Sequence, residues 1–121
     1  MAFTENMSTR TYVSGSAVAQ FTFVSLAADG QVDNTAANAR TDGVVLQAAG
    51  AAGQAVTVAY DGRVTVQAGG TITRGAAVAV GTSGKAKAAA STNVIVGFAV
   101  EAGVDGQVIT IELSRADKAA V

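Results

Sequence analysis

The chain has 121 residues, half of them apolar, with 8 basic and 9 acidic residues and a net charge of −1. It contains no His, Cys, Trp or Pro. Without imidazole or thiol there is no Ser-His-Asp or Cys-His nucleophile system, no Cys/His zinc site, no disulfide and no iron–sulfur cluster. The length corresponds to one domain. Alanine supplies 27 of the apolar residues and valine 18. Because alanine contributes little on burial, the expected core is thin, and a near-zero net charge does not oppose self-association. The basic residues are scattered, which argues against nucleic acid as a partner. Apolar runs such as Gly75–Gly81 are far shorter than the ~20 residues a membrane helix needs, so no membrane partner is expected.

Residues 1–14 are polar and lack Gly. They read either as a frayed terminus or as an N-terminal arm that orders on a partner and adds its backbone to a sheet edge. In the second case Phe3, Met7, Arg10 and Tyr12 are the candidate partner-binding residues. The segment has no basic start followed by an apolar stretch, so it is not read as a secretory signal, and synthesis in a cytoplasm is expected. Residues 15–113 form a β body, because β-branched residues suit strands and glycines recur at turn-like intervals. Within it Val18–Leu26 is predicted as a strand with Phe21 and Phe23 on one face. Two short helices are candidates, over Asn34–Ala39 and in the C-terminal tail, residues 114–121, from Ser114 to Ala120.

The most informative feature is internal. Gly43-Val-Val-Leu-Gln-Ala48 resembles Gly97-Phe-Ala-Val-Glu-Ala102, and Gly53-Gln-Ala-Val-Thr-Val-Ala-Tyr60 resembles Gly106-Gln-Val-Ile-Thr-Ile-Glu-Leu113. The loop between the halves is one residue longer in the first copy. Apolar and polar positions alternate in step, as a strand period of two requires. Each copy is predicted to be a β-hairpin facing one core. Val44, Leu46, Val56, Val58, Val64, Val66, Val96, Phe98, Val100, Ile109 and Ile111 are predicted to point mainly inward. Asp61-Gly62 is predicted as a hairpin turn of three residues with a bulge, pairing Ala59 with Arg63. A second hairpin turn is predicted over Val80–Lys85.

Candidate chemistry is sparse. Asp29, Asp61 and Asp105 each precede Gly, as turn residues do. Asp29-Gly-Gln-Val-Asp33 lacks the further ligands and closing Glu of a calcium loop. Gly81-Thr-Ser-Gly-Lys85 lacks the spacing of a phosphate loop, and Ala86 stands where that loop needs Ser or Thr. No catalytic, cofactor-binding or metal-binding residue is therefore assigned, and no enzyme activity is expected.

Across roughly residues 11–113 the chain resembles the capsid decoration, or cement, proteins of tailed bacteriophages. The carriers are Ala19-Gln-Phe-Thr-Phe-Val24, Asn38-Ala-Arg-Thr-Asp-Gly-Val-Val-Leu46, Gly53-Gln-Ala-Val-Thr-Val58, Gly62-Arg-Val-Thr-Val66, Ile72-Thr-Arg-Gly75 and Val96-Gly-Phe-Ala99. The resemblance implies an all-β body, a small β-barrel of β-tulip or β-clip-like type, with an extended N-terminal arm. It also implies a homotrimer bound to the major capsid protein on the outer surface of the virion, clamping the lattice without catalytic residues. Two other functions are weighed from the residues. A carbohydrate-binding or adhesin-like module would need an aromatic platform, and six aromatics without Trp supply a poor one. A lipoyl-type swinging arm would need a Lys at a hairpin tip, for which Lys85 is the candidate.

Overall fold

The computed structural model describes residues 5–28, 30–90 and 93–113. Nine strands are found among them: β1 (Glu5–Ser14), β2 (Thr22–Ala28), β3 (Gln31–Asn34), β4 (Gly43–Val45), β5 (Ala55–Gln67), β6 (Ala77–Val80), β7 (Ala86–Ala88), β8 (Gly97–Ala99) and β9 (Val108–Leu113). They form one sheet in the order β1-β3-β2-β4-β5-β9-β8-β6-β7. A further β1–β5 pairing closes the first five strands into a barrel. The all-β class and barrel architecture expected from the sequence are those of the structure.

The repeat seen in the sequence is a duplication of the whole barrel. In the first copy β2 pairs with β3 and β4, and β4 with β5. In the second, β6 pairs with β7 and β8, and β8 with β9. The registers correspond residue by residue. Val44 opposite Ala59 matches Phe98 opposite Glu112, and Leu26 opposite Val32 matches Val80 opposite Ala86. The pairing of β1 with the first half of β5, Thr9–Ala59 to Val13–Ala55, is reproduced by the second half of β5 with β9, Arg63–Glu112 to Gln67–Val108. The parallel contact of Ser14 with Val32 recurs between Ala68 and Ala86, and the Val18–Ala49 bridge recurs as Ile72–Gly103.

Side chains follow the same correspondence. Gln47 Oε1 accepts from the Thr57 N–H at 3.1 Å, and Glu101 Oε2 accepts from the Thr110 N–H at 3.0 Å. An amide and a carboxylate thus satisfy the same backbone donor at the mouth of each hairpin. Gly43 and Gly97 are counterparts for a steric reason: a Cβ at either would press on the carbonyl oxygen of the facing strand, Ala59 or Glu112.

Several sequence expectations change. Asp61-Gly62 is not a hairpin turn, because β5 continues through it as one strand. The two halves of β5 pair with other strands and not with each other, β1 reaching as far as Arg63, so the strand needs only a bend there. Gly62 takes φ 95°, and the Asp61 carboxylate accepts from the Gly62 N–H at 3.0 Å. Asn34–Ala39 is not helical: Asn34 ends β3, Thr35 N donates to Phe23 O, and Asn38 takes φ 64° in a turn. Two isolated turns cannot offset helix nucleation. Val18–Leu26 is strand only from Thr22; Phe21, at φ 59°, lies outside β2 and does not share the burial of Phe23. The hairpin at Val80–Lys85 is present, closed by a 3-10 turn at Thr82–Gly84. The tail helix lies outside the described residues.

The N-terminal segment also differs from a separate arm. Glu5–Ser14 pairs antiparallel along β5 and parallel with β3, so it is a wall of the first barrel. Its backbone does add to a sheet edge, and the edge is that of its own chain. Closing a barrel removes edges that would otherwise template aggregation.

Two apolar clusters fill the fold. Val18, Val24, Val32, Val45, Ala49, Val56 and Val58 occupy the first barrel. Their counterparts Ile72, Val78, Ala86, Ala99, Ile109 and Ile111 occupy the second. The second cluster is larger because Phe23, Val44 and Ala59, on the outer face of the first barrel, join it, and because it also holds Val64, Val66, Ala68, Val80, Val96 and Leu113. Of the eleven residues predicted inward, eight are buried, Leu46 and Val100 are half-buried, and Phe98 is 47% exposed. Phe98 points out because Gly97 and Ala99 face inward on β8, and alternation sends the residue between them to the other face.

Two outcomes test the duplication. Gly97→Ala should lower the urea midpoint by the equivalent of about 1–3 kcal/mol, as overpacking does, whereas Gly50→Ala, which meets no atom within 4 Å, should leave it within about 0.5 kcal/mol. Burial disfavours charge on Glu101, but its pKa is lowered overall, with hydrogen bonds from Thr110 among the causes. A carboxylate whose folded pKa is depressed stabilises the fold above its unfolded pKa and loses that contribution as pH falls through the folded one. Glu101→Gln, copying Gln47, should therefore flatten the acid side of a melting-temperature profile while changing it little near neutrality.

Candidate functional site

The first barrel is open at one end, and the residues around that opening are chemically unlike those of the core. Arg10 and Tyr12 stand two apart on β1, opposite Val58 and Val56, and so on the barrel's inner face. Tyr60 continues that face on β5. Asp42 enters from the segment before β4. These four residues line a cavity of about 220 Å3. The chain's two tyrosines are therefore at one site. Tyr12 packs against the cluster inside the barrel, and Arg10 is exposed.

Asp42 is held in place from two sides. Its Oδ2 accepts from the Leu26 N–H at 2.8 Å, and its Oδ1 lies 3.8 Å from Nη2 of Arg40. Leu26 itself is 49% exposed on the rim. Beneath Asp42, the Thr41 hydroxyl donates to Val24 O at 2.9 Å and accepts from Thr35 Oγ1 at 3.0 Å, which fixes the approach to Gly43. The opening thus presents two phenol rings, a guanidinium, a carboxylate and an aliphatic side chain. That set suits an aromatic or aliphatic side chain flanked by charge. It holds no nucleophile–base pair.

Of the predicted partner-binding residues, Arg10 and Tyr12 are brought together here. Met7 lies on β1, and Phe3 lies outside the described residues. Tyr60 and Asp42 were missed in the sequence. Tyr60 matches Leu113 in the repeat but falls in the predicted turn between Ala59 and Arg63, and Asp42 stands out only as one residue of the run Asn38–Leu46. The signal that marks them is a mismatch within the repeat: both replace apolar counterparts, Leu113 and Val96.

Other sequence candidates resolve differently. Lys85 follows the 3-10 turn but is half-buried, with its Cβ close to Gly69, so it does not stand at a hairpin tip. Together with Lys87, Ser83 and Asp105 it lines a shallow hollow of about 300 Å3. In the sequence Asp29–Asp33, Asp29 lies outside the described residues, and Asp33 Oδ1 accepts from the Ser16 hydroxyl at 2.6 Å.

No family model matches the sequence, and no curated protein sequence does. Among solved structures the chain is similar to the N base of the head fiber protein gp8.5 of bacteriophage phi29, with a TM-score of 0.76 and 24% identity. The likeness covers 93% of this chain and 98% of that one. The likeness extends over nearly the whole of both chains, so this chain shares the fold of that head fiber base.

Proposed function

We propose that this chain is a structural protein of a bacteriophage head, a decoration or cement protein that binds the major capsid protein on the outer surface of the virion and stabilises the lattice, with no enzymatic activity. The observation that carries this reading is the full-length likeness to a head fiber base. The fold supports it physically. Two small barrels with alanine- and valine-rich interiors give a body that gains stability from whatever binds only its folded form. Many modest contacts, repeated over a lattice, combine through multivalency. In this reading the chain is made in the host cytoplasm and acts as a homotrimer on the capsid, and Phe3, Met7, Arg10 and Tyr12 of the N-terminal segment contact neighbouring proteins.

A carbohydrate-binding module is the second reading. It draws on Tyr12 and Tyr60 beside Arg10 and Asp42 at one cavity, since sugars stack on aromatic rings and hydrogen-bond to flanking charged groups.

The test is co-sedimentation of the purified chain with phage heads that lack it. Saturable binding, accompanied by a higher rupture temperature of the heads, is the expected outcome. Failure to bind heads, together with retention on a glycan array, would replace the first reading by the second. Deleting β1 is unsuitable for this test, because it would open the first barrel.

A further inference from the structure

The two barrels of the chain pack head to tail, and the described residues leave one half-interface uncovered at each end. Phe23, Val44 and Ala59 lie on the outer face of the first barrel, yet each is fully buried in the cluster of the second. They form the patch that the second barrel covers.

The residues that receive this patch are identified by comparing counterparts. Ile72, Val78, Ala86, Ala99, Ile109 and Ile111 are interior in the second barrel, and their counterparts are interior in the first. Val64, Val66, Val80, Val96 and Leu113 are buried members of the second cluster, but none of their counterparts is a buried member of the first, and only Tyr12 among them packs against it. Those counterparts are Arg10, Tyr12, Leu26, Asp42 and Tyr60. The five apolar residues are thus buried where the first barrel caps the second, and the other five surround the uncapped end of the first. Val80 is 0% exposed and Leu26 is 49% exposed, at the same place in the same barrel. The patch shows the same asymmetry in reverse. The counterparts of Phe23, Val44 and Ala59 are Ala77, Phe98 and Glu112, on the outer face of the second barrel. Val44 is 0% exposed and Phe98 is 47% exposed.

From this we infer that the Ala77–Phe98–Glu112 patch of one copy of this chain seats on the open barrel end of a second copy, at Arg10, Tyr12, Leu26, Asp42 and Tyr60. The contact repeats between chains the packing already made within one chain. Size and charge agree with it. The patch carries Phe where its counterpart carries Val, and the receiving end has a cavity of about 220 Å3 where the second barrel is filled. A cavity of ~150 Å3 is large enough for a benzene ring. The ring enters between two tyrosines, an arrangement that aromatic edges and faces favour. The Glu112 carboxylate, now 3.4 Å from Arg63 Nε, is brought to the side that carries Arg10. Since the two surfaces differ, the contact is heterologous, and it builds a ring where the rotation closes and an open chain where it does not.

The inference specifies the self-association included in the proposed function, but it stands on the repeat geometry and is testable without a capsid. Phe98→Glu disables the patch and Arg10→Glu the opposite end. Both residues are exposed, so both variants should melt like the parent at concentrations where the parent is monomeric. In sedimentation equilibrium each variant alone should associate roughly tenfold or more weakly than the parent, whereas an equimolar mixture of the two should recover a 1:1 dimer that grows no further, because each chain keeps one intact surface. The chain has no cysteine of its own, so Phe98→Cys on one chain and Tyr60→Cys on another should cross-link under oxidation well above a Thr73→Cys control. A mixture that stays monomeric, variants that associate as the parent does, or cross-linking no greater than the control would each overturn the inference. Loss of head binding with intact dimer formation would instead count against the capsid reading alone.

Discussion

The fold depends on one shared strand. β5 is long enough, at 13 residues, to serve as the last strand of one barrel and the first strand of the next. Its first half faces inward with Val56 and Val58 and its second half with Val64 and Val66, in two different clusters. The bend at Gly62 separates the halves. An independent linker between two barrels would leave their relative position free. A continuous strand instead fixes it, and so fixes Ala59, on the outer face of the first barrel, inside the core of the second. Each barrel alone is a small module with few large side chains, and surface-to-volume scaling makes such modules marginal. Sharing a strand and a seam lets the second barrel bury the outer face of the first in place of solvent contact.

The same arrangement explains where polar chemistry collects. A duplicated module joined head to tail has one interior seam and two terminal surfaces that match its halves. At the seam the residues are Val, Leu, Ala and Phe. At the open end the equivalent positions carry Arg10, Tyr12, Asp42 and Tyr60, side chains that tolerate water while offering apolar area. Asp42 illustrates the shift. Its counterpart Val96 is buried, whereas Asp42 uses its carboxylate to hold the Leu26 backbone and to meet Arg40.

Much of this was legible in the sequence, and the rest was hidden for definite reasons. The paired hairpins could be read because the match of Gly43–Ala48 with Gly97–Ala102 preserves strand period and polar partners, down to Gln47 and Glu101. The duplication of the remaining strands could not, because β2 and β6, or β1 and the second half of β5, share shape and register but few residue types. The continuity of β5 was obscured by Asp61-Gly62, a dipeptide that turns in most settings and here only bends, since neither half of β5 needs the other as a partner. Phe98 was misplaced by the repeat itself: matched to Val44, it inherited an inward orientation, yet Val44 is buried only because a second barrel lies over it. Burial created by a neighbouring module leaves no trace in the periodicity of a single strand. The open end was missed for the complementary reason, since its residues become informative only when set beside their apolar counterparts.

Counterpart positions differ in burial because the first barrel caps the second, and none of the described residues caps the first. Chemical denaturation of Val44→Asp and Phe98→Asp, at concentrations where the parent is monomeric, tests this most directly, since the two substitutions place the same charge at counterpart positions of the two modules. A charge left unpaired inside the seam should cost Val44→Asp more than about 3 kcal/mol, and Phe98→Asp should stay within about 0.5 kcal/mol of the parent, as exposed substitutions do. Equal losses at the two positions would contradict the account.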